Sequence, residues 1–314
     1  MKPSRNKILV AVDFEEQSMH ALEHSYELAI LFDADLLLLY VIEGVSILGK
    51  LRSPEEYVKN IIEEAREKFD KLEALAGNVS TKAAVKVSAL IEKGKPYDKI
   101  IGTARDREVL LIVMGNNSNM PASKSRRIIG SNTLNVIREA HCPVITVKSI
   151  SKLPGKYTSI LLPLDFTSQT KKQVQKAIEF GGYFGAKINI ISILSGNNKI
   201  TKLLKQVQLN QVKNAIQKNG VLCEAEFIVQ NEKSVSELVL DYSQKIAADL
   251  IVIMTQQKKS IIDFYVGSNA QEIISKSKIP VLSIVPSAEF KPGMVTSMVD
   301  PLGVLKSKPA DGIL

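Results

Sequence analysis

Short continuous apolar runs alternate along the chain with longer segments in which apolar residues recur every three or four positions. Runs rich in β-branched and aliphatic residues are typical of strands that are buried on both faces. The longer segments have the spacing of one side of an amphipathic helix. In the first half, strands are predicted at Ile8–Val12, Leu36–Ile42, Val85–Ile91, Val109–Met114 and Val144–Val147, of which Ile8–Val12 is the clearest continuous run.

Helices are predicted between these strands, over 17–32, 96–106 and 131–140 and over a longer segment that begins at Ser53. Ser53 has the chemistry of an N-cap, followed by a proline and two acids, and Gly77 is a plausible end. Because strands alternate with helices, the chain predicts a parallel sheet with right-handed crossovers and helices on both faces. The buried side of the long helix is predicted to carry Val58, Ile61, Ile62, Ala65, Phe69 and Leu72.

The sequence repeats itself. Residues 7–18 and 159–170 both run from an apolar stretch into Asp-Phe-x-x-Gln-(Ser/Thr), and Gly-Ser-Asn occurs at 130–132 and again at 267–269. In each half, ten residues separate that Asn from a Pro-Val pair that opens the last strand. Matched anchors in the same order indicate a duplication. The second set of strands is predicted near 159–164, 188–194, 223–229, 249–254 and 281–285.

The fold class is therefore α/β, with two tandem domains that each contain a five-stranded parallel sheet with helices on both faces. The domains are predicted at 1–150 and 155–287, joined at 149–155 by a short polar segment with Pro and Gly. Residues 288–314 show no sustained periodicity and are predicted to form an extended C-terminal tail.

Candidate ligand-binding residues follow from this topology, because open parallel sheets bind ligands beyond the carboxyl ends of strands where strand order reverses. A Gly-Ser turn at a helix start permits close backbone approach and offers N–H groups to a phosphate. The same residues also suit a plain helix N-cap, and an Asp after a strand suits a turn, so both interpretations stay open. The residues selected are Asp13, Val41, Gly115, Gly130, Ser131 and Asn132.

The Asp after the first strand, the glycine after the fourth, the Gly-Ser turn and the Pro-Val ending together resemble the universal stress protein family. The resemblance implies Rossmann-like domains and a stress-response role. It also implies an adenine nucleotide, ATP or AMP, with Mg²⁺ as its companion ion. In the first copy, adenosine would contact Asp13 and the main chain near Val41, and the phosphates would contact Gly115, Gly130, Ser131 and Asn132. The two copies would pair through their last strands, Val144–Val147 against Val281–Val285, as an intramolecular pseudo-dimer, and a homodimer is a further expectation.

Both copies depart from the family's Gly-x-x-Gly loop. In the first, Ser118 stands at the second glycine, and Lys124, Arg126 and Arg127 add positive charge to the loop. In the second, Thr255 and Lys258 are predicted to replace the two glycines. A Cβ at such positions hinders the approach of a phosphate. The first copy is therefore the predicted nucleotide site and the second is degenerate; the alternative is a nucleotide-free interaction or scaffold module that acts through protein–protein contacts.

The amino-acid composition limits the classes of partner that the protein is expected to bind. The net charge is +8, and residues 151–314 contain 20 lysines, no arginine and 13 acids. Dispersed lysines are typical of solvated helix faces, whereas nucleic-acid readout favours Arg, so no specific nucleic acid is expected. The apolar runs are too short for a membrane helix or a signal peptide, and the two cysteines make no disulfide framework. A cytoplasmic protein without a membrane partner is predicted. The lysines in question include Lys171, Lys172, Lys176, Lys202 and Lys205.

Catalytic chemistry is not predicted. His20, Glu23 and His24 match the zinc motif H-x-x-E-H. Both histidines are expected to face solvent, because apolar neighbours define the buried side of the helix and the second copy carries Lys172 and Lys176 instead. The chain has no Gly-x-Ser-x-Gly elbow, and Cys142 is interpreted as a small core residue. No catalytic residue and no protein-bound metal are expected.

Overall fold

A computed structural model shows the fold of the chain. It describes residues 6–43, 63–64, 66–68, 70–74, 77, 85–116, 129–148, 157–166, 170–194, 196, 199–230, 232–255 and 266–284. We call residues 6–148 the first copy and residues 157–284 the second copy. The predicted linker, the tail and most of the apolar face predicted for the long helix lie outside the described residues, although 63–64, 66–68 and 70–74 are helical.

Strands and helices alternate through both copies. The first copy contains β1 (Asn6–Ala11), α1 (Glu16–Leu31), β2 (Ala34–Ile42), β3 (Val87–Lys93), α2 (Pro96–Asp106), β4 (Leu111–Gly115), α3 (Ser131–Glu139) and β5 (Val144–Val147). The second contains β6 (Ser159–Pro163), α4 (Thr170–Phe184), β7 (Lys187–Leu194), α5 (Lys199–Lys218), β8 (Cys223–Val229), α6 (Val235–Lys245), β9 (Leu250–Met254), α7 (Ser268–Lys276) and β10 (Val281–Ile284).

The strands form one sheet in the order β3-β2-β1-β4-β5-β10-β9-β6-β7-β8. Pairing is parallel within each copy. Alternate residues of a strand point to opposite faces, so Ile8 and Val10 enter one core and Leu9 enters the other. Residues of α1, α4 and α5 cover the first core, and residues of α2, α3, α6 and α7 cover the second. The predicted α/β fold with helices on both faces is confirmed.

The two copies meet at an antiparallel pair, in which Thr146 of β5 lies opposite Val281 of β10 and Val144 lies opposite Ser283. The predicted pairing through the last strands is therefore confirmed for the described residues. Side chains of the first copy also bind the end of α7: the Asn116 Nδ2 donates to the Ile274 carbonyl at 2.7 Å, and the Lys148 Nζ donates to the Ser275 carbonyl. These bonds satisfy carbonyls that a helix terminus leaves without intrahelical partners.

An aromatic cluster joins the copies on the first core. We define it as Phe32, Tyr157, Phe180, Tyr183 and Phe184. Phe32, at the end of α1, has its ring centroid 5.6 Å from that of Phe180 and 4.9 Å from that of Tyr183, both edge-on. The rings of Tyr157 and Phe184 are 4.4 Å apart. Aromatic pairs of this geometry contribute beyond the area that they bury.

The prediction that both motif histidines face solvent is wrong for His24. Its side chain is buried and its Nε2 is hydrogen-bonded to the Tyr157 hydroxyl. The equivalent Lys176 is buried as well, with its Nζ 2.7 Å from the Glu179 carboxylate. The error arose because helical periodicity identifies the side of a helix that packs on its own sheet, whereas the second copy covers another side of α1.

Candidate functional site

The strand order reverses between β1 and β4, and the carboxyl ends of β2, β1 and β4 lie at one edge of the sheet. That edge carries the residues predicted from the sequence. Asp13 follows β1, Val41 is near the end of β2, and Gly115 ends β4. The start of α3 is tied to the same edge, because the buried Thr133 Oγ1 donates to the Gly115 carbonyl at 3.3 Å. Sequence reasoning missed this hydroxyl, which has no counterpart at Ala270 in the second copy.

Asp13 forms the turn between β1 and α1. Its carboxylate accepts the Glu15 N–H at 3.0 Å, and its own N–H donates to the Ser18 Oγ at 3.2 Å. These bonds hold Phe14 in the left-handed region at φ 65°, which is uncommon for a bulky residue, and Phe166 repeats it at φ 58°. The turn interpretation of Asp13 is thus observed. The residue is nonetheless exposed at this edge of the sheet.

Backbone groups of Val41 point over the end of β1. The Leu39 carbonyl accepts the Val12 N–H on the β1 side, and the Ile42 carbonyl accepts the Gly94 N–H on the β3 side. Since backbone groups alternate sides along a strand, Val41 directs its N–H and C=O to the β1 side, like Leu39. There β1 has already turned away at Asp13. An adjacent N–H and C=O of this kind match the donor and acceptor on the edge of a planar base.

Aromatic side chains close this edge on the α1 face. The rings of Phe14 and Tyr40 are 5.5 Å apart, and the Lys68 Nζ lies 5.0 Å from the Phe14 ring centroid. The Tyr40 hydroxyl donates to Glu64 at 3.1 Å. Burial, followed by that carboxylate, raises the pKa of Tyr40 to about 12, so the phenol stays neutral. A ligand would therefore approach from the α3 face.

The N-terminus of α3 has the features of an anion-binding helix end. Gly130 is its N-cap and supplies no side-chain hydrogen bond, and the first turn contains no acidic residue. The first N–H groups of a helix have no intrahelical partner and attract negative charge. Gly130 has φ −56° and ψ 142°, which any residue can adopt. Backbone conformation therefore does not demand a glycine at this N-cap.

Gly115 has a packing role. A Cβ added to it would lie 2.8 Å from the Gln17 carbonyl carbon and 2.9 Å from the Gln17 carbonyl oxygen. These are backbone atoms of the first turn of α1 and cannot rotate away. The close contact between β4 and α1 thus accounts for this glycine without any ligand.

We expect Gly115→Ala to lower the free energy of unfolding by about 1–3 kcal/mol, because either β4 or α1 must shift to admit the methyl group. Urea denaturation measures the change. Gly102→Ala is the matched control, because its Cβ would have no atom within 4 Å. In helix α2 the control should leave stability unchanged or raise it. Equal stabilities of the two variants would contradict the packing role.

The second copy differs at the corresponding edge. The Asn116 N–H donates to the Val147 carbonyl and the Thr255 N–H donates to the Ile284 carbonyl, so Thr255 corresponds to Asn116. The residue equivalent to Gly115 is therefore Met254, and the prediction that Thr255 replaces this glycine is off by one residue. The error arose because strand register, which the sequence does not show directly, sets the correspondence.

A glutamine fills the gap between strands in the second copy. β1 and β4 pair over four residues, from Ile8–Leu111 to Ala11–Met114, whereas β6 and β9 pair over two. Pro163, which stands where Ala11 stands, has no N–H for its neighbour. The Gln173 Nε2 donates instead to the Pro163 carbonyl at 2.9 Å and to the Val252 carbonyl at 3.1 Å. Pro163 in a strand was the sequence signal that could have revealed this difference.

Other candidate chemistry finds no support in the described part of the chain. No three His, Cys, Asp or Glu side chains gather there as a metal ion requires. The helices formed by these residues include none with the length and apolarity that a bilayer crossing needs. Burial raises the pKa of the Cys142 and Cys223 thiols to about 12, so neither is a thiolate nucleophile near neutral pH. Ser118, Lys124, Arg126, Arg127 and Lys258 lie outside the described residues.

Comparison with known proteins agrees with this architecture. The sequence profile of the family described as "Universal stress protein family" matches residues 4–148 and again residues 156–284. The chain belongs to the universal stress protein family. It is a tandem member, with one family unit in each copy, and the resemblance inferred from the sequence is confirmed.

Individual universal stress proteins match one copy or both. A universal stress protein of Methanocaldococcus jannaschii is 29% identical over 148 residues, which make up 46% of this chain and 84% of that protein. The crystal structure of a universal stress protein from Archaeoglobus fulgidus superposes with a TM-score of 0.71 at 19% identity, covering 88% of this chain and 95% of that one. Another from Archaeoglobus fulgidus, determined in complex with dAMP, is 22% identical and covers 41% of this chain and 97% of that one, with a TM-score of 0.34.

Proposed function

We propose that this tandem universal stress protein acts in a cytoplasmic stress response and binds an adenine nucleotide, ATP or AMP, in its first copy. The N-terminus of α3 carries the proposal: Gly130 leaves the first N–H groups of the helix without a side-chain cap, at the edge where strand order reverses. Phosphates would bind these N–H groups at Ser131 and Asn132. A divalent cation such as Mg²⁺ would accompany the phosphates of ATP.

The base and sugar would bind at the other end of the same edge. The N–H and C=O of Val41 would bind the edge of the adenine, and the exposed Asp13 carboxylate would accept a hydrogen bond from a ribose hydroxyl. Gly115 would contribute through its position between α1 and Thr133 rather than through its lack of a side chain. No catalytic residue takes part, and the nucleotide would be bound without turnover.

The second copy argues for a single site. It keeps the glycine N-cap at Gly267, with nearly the same backbone angles, φ −56° and ψ 146°. The Gln173 amide, however, occupies the gap between β6 and β9. A side chain held by two backbone carbonyls is not readily displaced, because both acceptors would lose a buried hydrogen bond. We therefore propose one nucleotide per chain.

We expect purified protein to release about one equivalent of nucleotide on denaturation, or to bind about one equivalent of ATP, AMP or dAMP in calorimetry. Gly130→Val should abolish measurable binding, because its branched side chain projects where the phosphates must meet the first turn of α3. Gly267→Val is the matched control: it changes an N-cap of the same geometry in the second copy and should leave affinity unchanged.

A different function follows if the purified protein neither releases a nucleotide on denaturation nor binds one at millimolar concentration. The alternative is an interaction module whose two copies form a fixed pseudo-dimer, and the β5–β10 pair with its cross-copy hydrogen bonds favours it. Survival of full affinity in Gly130→Val, or its loss in Gly267→Val alone, would mean that the phosphates are assigned to the wrong helix.

A further inference from the structure

An apolar ridge runs along the N-terminal half of α5. We define it as Ile200, Leu203, Leu204 and Val207, which follow the i, i+3, i+4, i+7 spacing of one helix face. Their side chains are exposed to 71%, 67%, 62% and 49%. Single exposed leucines are ordinary on protein surfaces, whereas contiguous apolar surface marks a binding site.

The ridge points away from the protein core. The buried residues of α5 are Leu209, Val212 and Ile216, which pack into the first core. Leu209 follows Ile200 by nine residues, or about two and a half helical turns, so the two face opposite sides of the helix. The apolar ridge is therefore a convex surface on the outside of the molecule. A bound peptide would need a groove on the surface of this protein. A protruding apolar face instead fits the broad apolar boundary of a lipid bilayer.

The surroundings of the apolar ridge are positively charged. Helix α5 contains Lys199, Lys202, Lys205, Lys213 and Lys218 and no acidic residue. Between Glu179 and Glu224 the chain contains six lysines and no carboxylate. A second copy of this chain would bring the same charges together and repel the first. Anionic phospholipid headgroups would attract them.

We propose that α5 binds the surface of an anionic phospholipid bilayer, with the apolar ridge inserted at the boundary of headgroups and acyl chains. An exposed apolar face, flanking lysines and a convex shape are the features of helices that lie in this interface. This peripheral contact is distinct from membrane spanning and independent of the nucleotide site. No membrane partner was expected from the sequence, because its apolar runs are too short to cross a bilayer, and that length does not bear on a helix that lies at the bilayer surface.

Binding to vesicles tests the proposal on the full chain. We expect the protein to sediment with vesicles that contain phosphatidylglycerol, and not with phosphatidylcholine vesicles, and to be released by high salt. Leu203→Gln with Leu204→Gln should lower the partition coefficient on the order of tenfold or more, because two inserted side chains are lost. Lys199→Gln with Lys202→Gln should lower it by a similar factor, on the order of tenfold, and only on anionic vesicles.

Leu222→Gln is the matched control. Leu222 is exposed to 73%, precedes β8 and lies outside the apolar ridge, so its substitution should leave vesicle binding unchanged. Circular dichroism should show that all variants keep the fold, since every altered side chain is largely exposed. Absence of binding to anionic vesicles at low salt overturns the proposal. The proposal is also overturned if light scattering shows a dimer that the Leu203 and Leu204 substitutions dissociate. The apolar ridge would then join two molecules of this protein.

Discussion

Phe180→Ala is expected to lower the free energy of unfolding by about 4 kcal/mol, as truncation of a fully buried phenylalanine costs both transfer energy and a cavity. The Phe180 side chain is 1% exposed and lies in the aromatic cluster between the copies. Its ring meets Phe32 of the first copy edge-on. The loss should therefore affect both copies, and urea denaturation followed by circular dichroism measures it.

Coupling between the copies can be separated from simple loss of core volume. In a double-mutant cycle of Phe32→Leu and Phe180→Leu, we expect an interaction free energy of about 0.5–1.5 kcal/mol, the usual range for an aromatic pair. Phe227→Ala is the control truncation, because Phe227 is half-buried on the edge strand β8 and should cost less than Phe180. Strict additivity of the two leucine substitutions would show that the rings contribute nothing across the boundary between copies.

Acidification is expected to destabilise the protein through His24. Burial lowers the pKa of His24 from 6.5 to about 4 in the folded protein. The unfolded chain therefore binds a proton at this residue at a higher pH than the folded chain does. Stability is retained above pH 6.5 and is lost as the pH falls from 6.5 to about 4. The full difference corresponds to about 3 kcal/mol.

The measurement is urea denaturation at several pH values across that window, for the wild type and His24→Gln. The variant should lose this part of the pH dependence, because glutamine does not titrate, while the carboxylates contribute equally to both proteins. His141→Gln serves as the second comparison: burial and Arg105 also lower the pKa of His141, but it is half-exposed, so that variant should keep most of the decline. Parallel loss of stability in the wild type and His24→Gln would show that another group is responsible.

Local sequence patterns were sufficient to predict the strands, the alternation of strands and helices, and the parallel arrangement within each copy. Ile8–Val12 is apolar at every position and Val144–Val147 at all but Thr146, because strands of a covered parallel sheet have no solvent face. The repeated Asp-Phe and Gly-Ser-Asn anchors established the duplication, since equal spacing of turn residues implies equal units. The location of Asp13, Val41, Gly115 and Gly130 at one edge of the sheet followed from the parallel topology, because that topology brings the carboxyl ends of the strands together.

Tertiary contacts decided the environment of individual side chains. His24 is buried against Tyr157 of the other copy, which is distant in sequence, and periodicity within one helix carries no information on that contact. The same holds for Gly115, whose missing side chain admits the backbone of Gln17, and for Gln173, which fills the gap beside Pro163. In α5 the apolar ridge and the buried stripe have similar composition, and only the position of the helix on the sheet distinguishes them. Hydrophobic pattern thus determines local conformation, whereas burial depends on surfaces that meet only after the chain has folded.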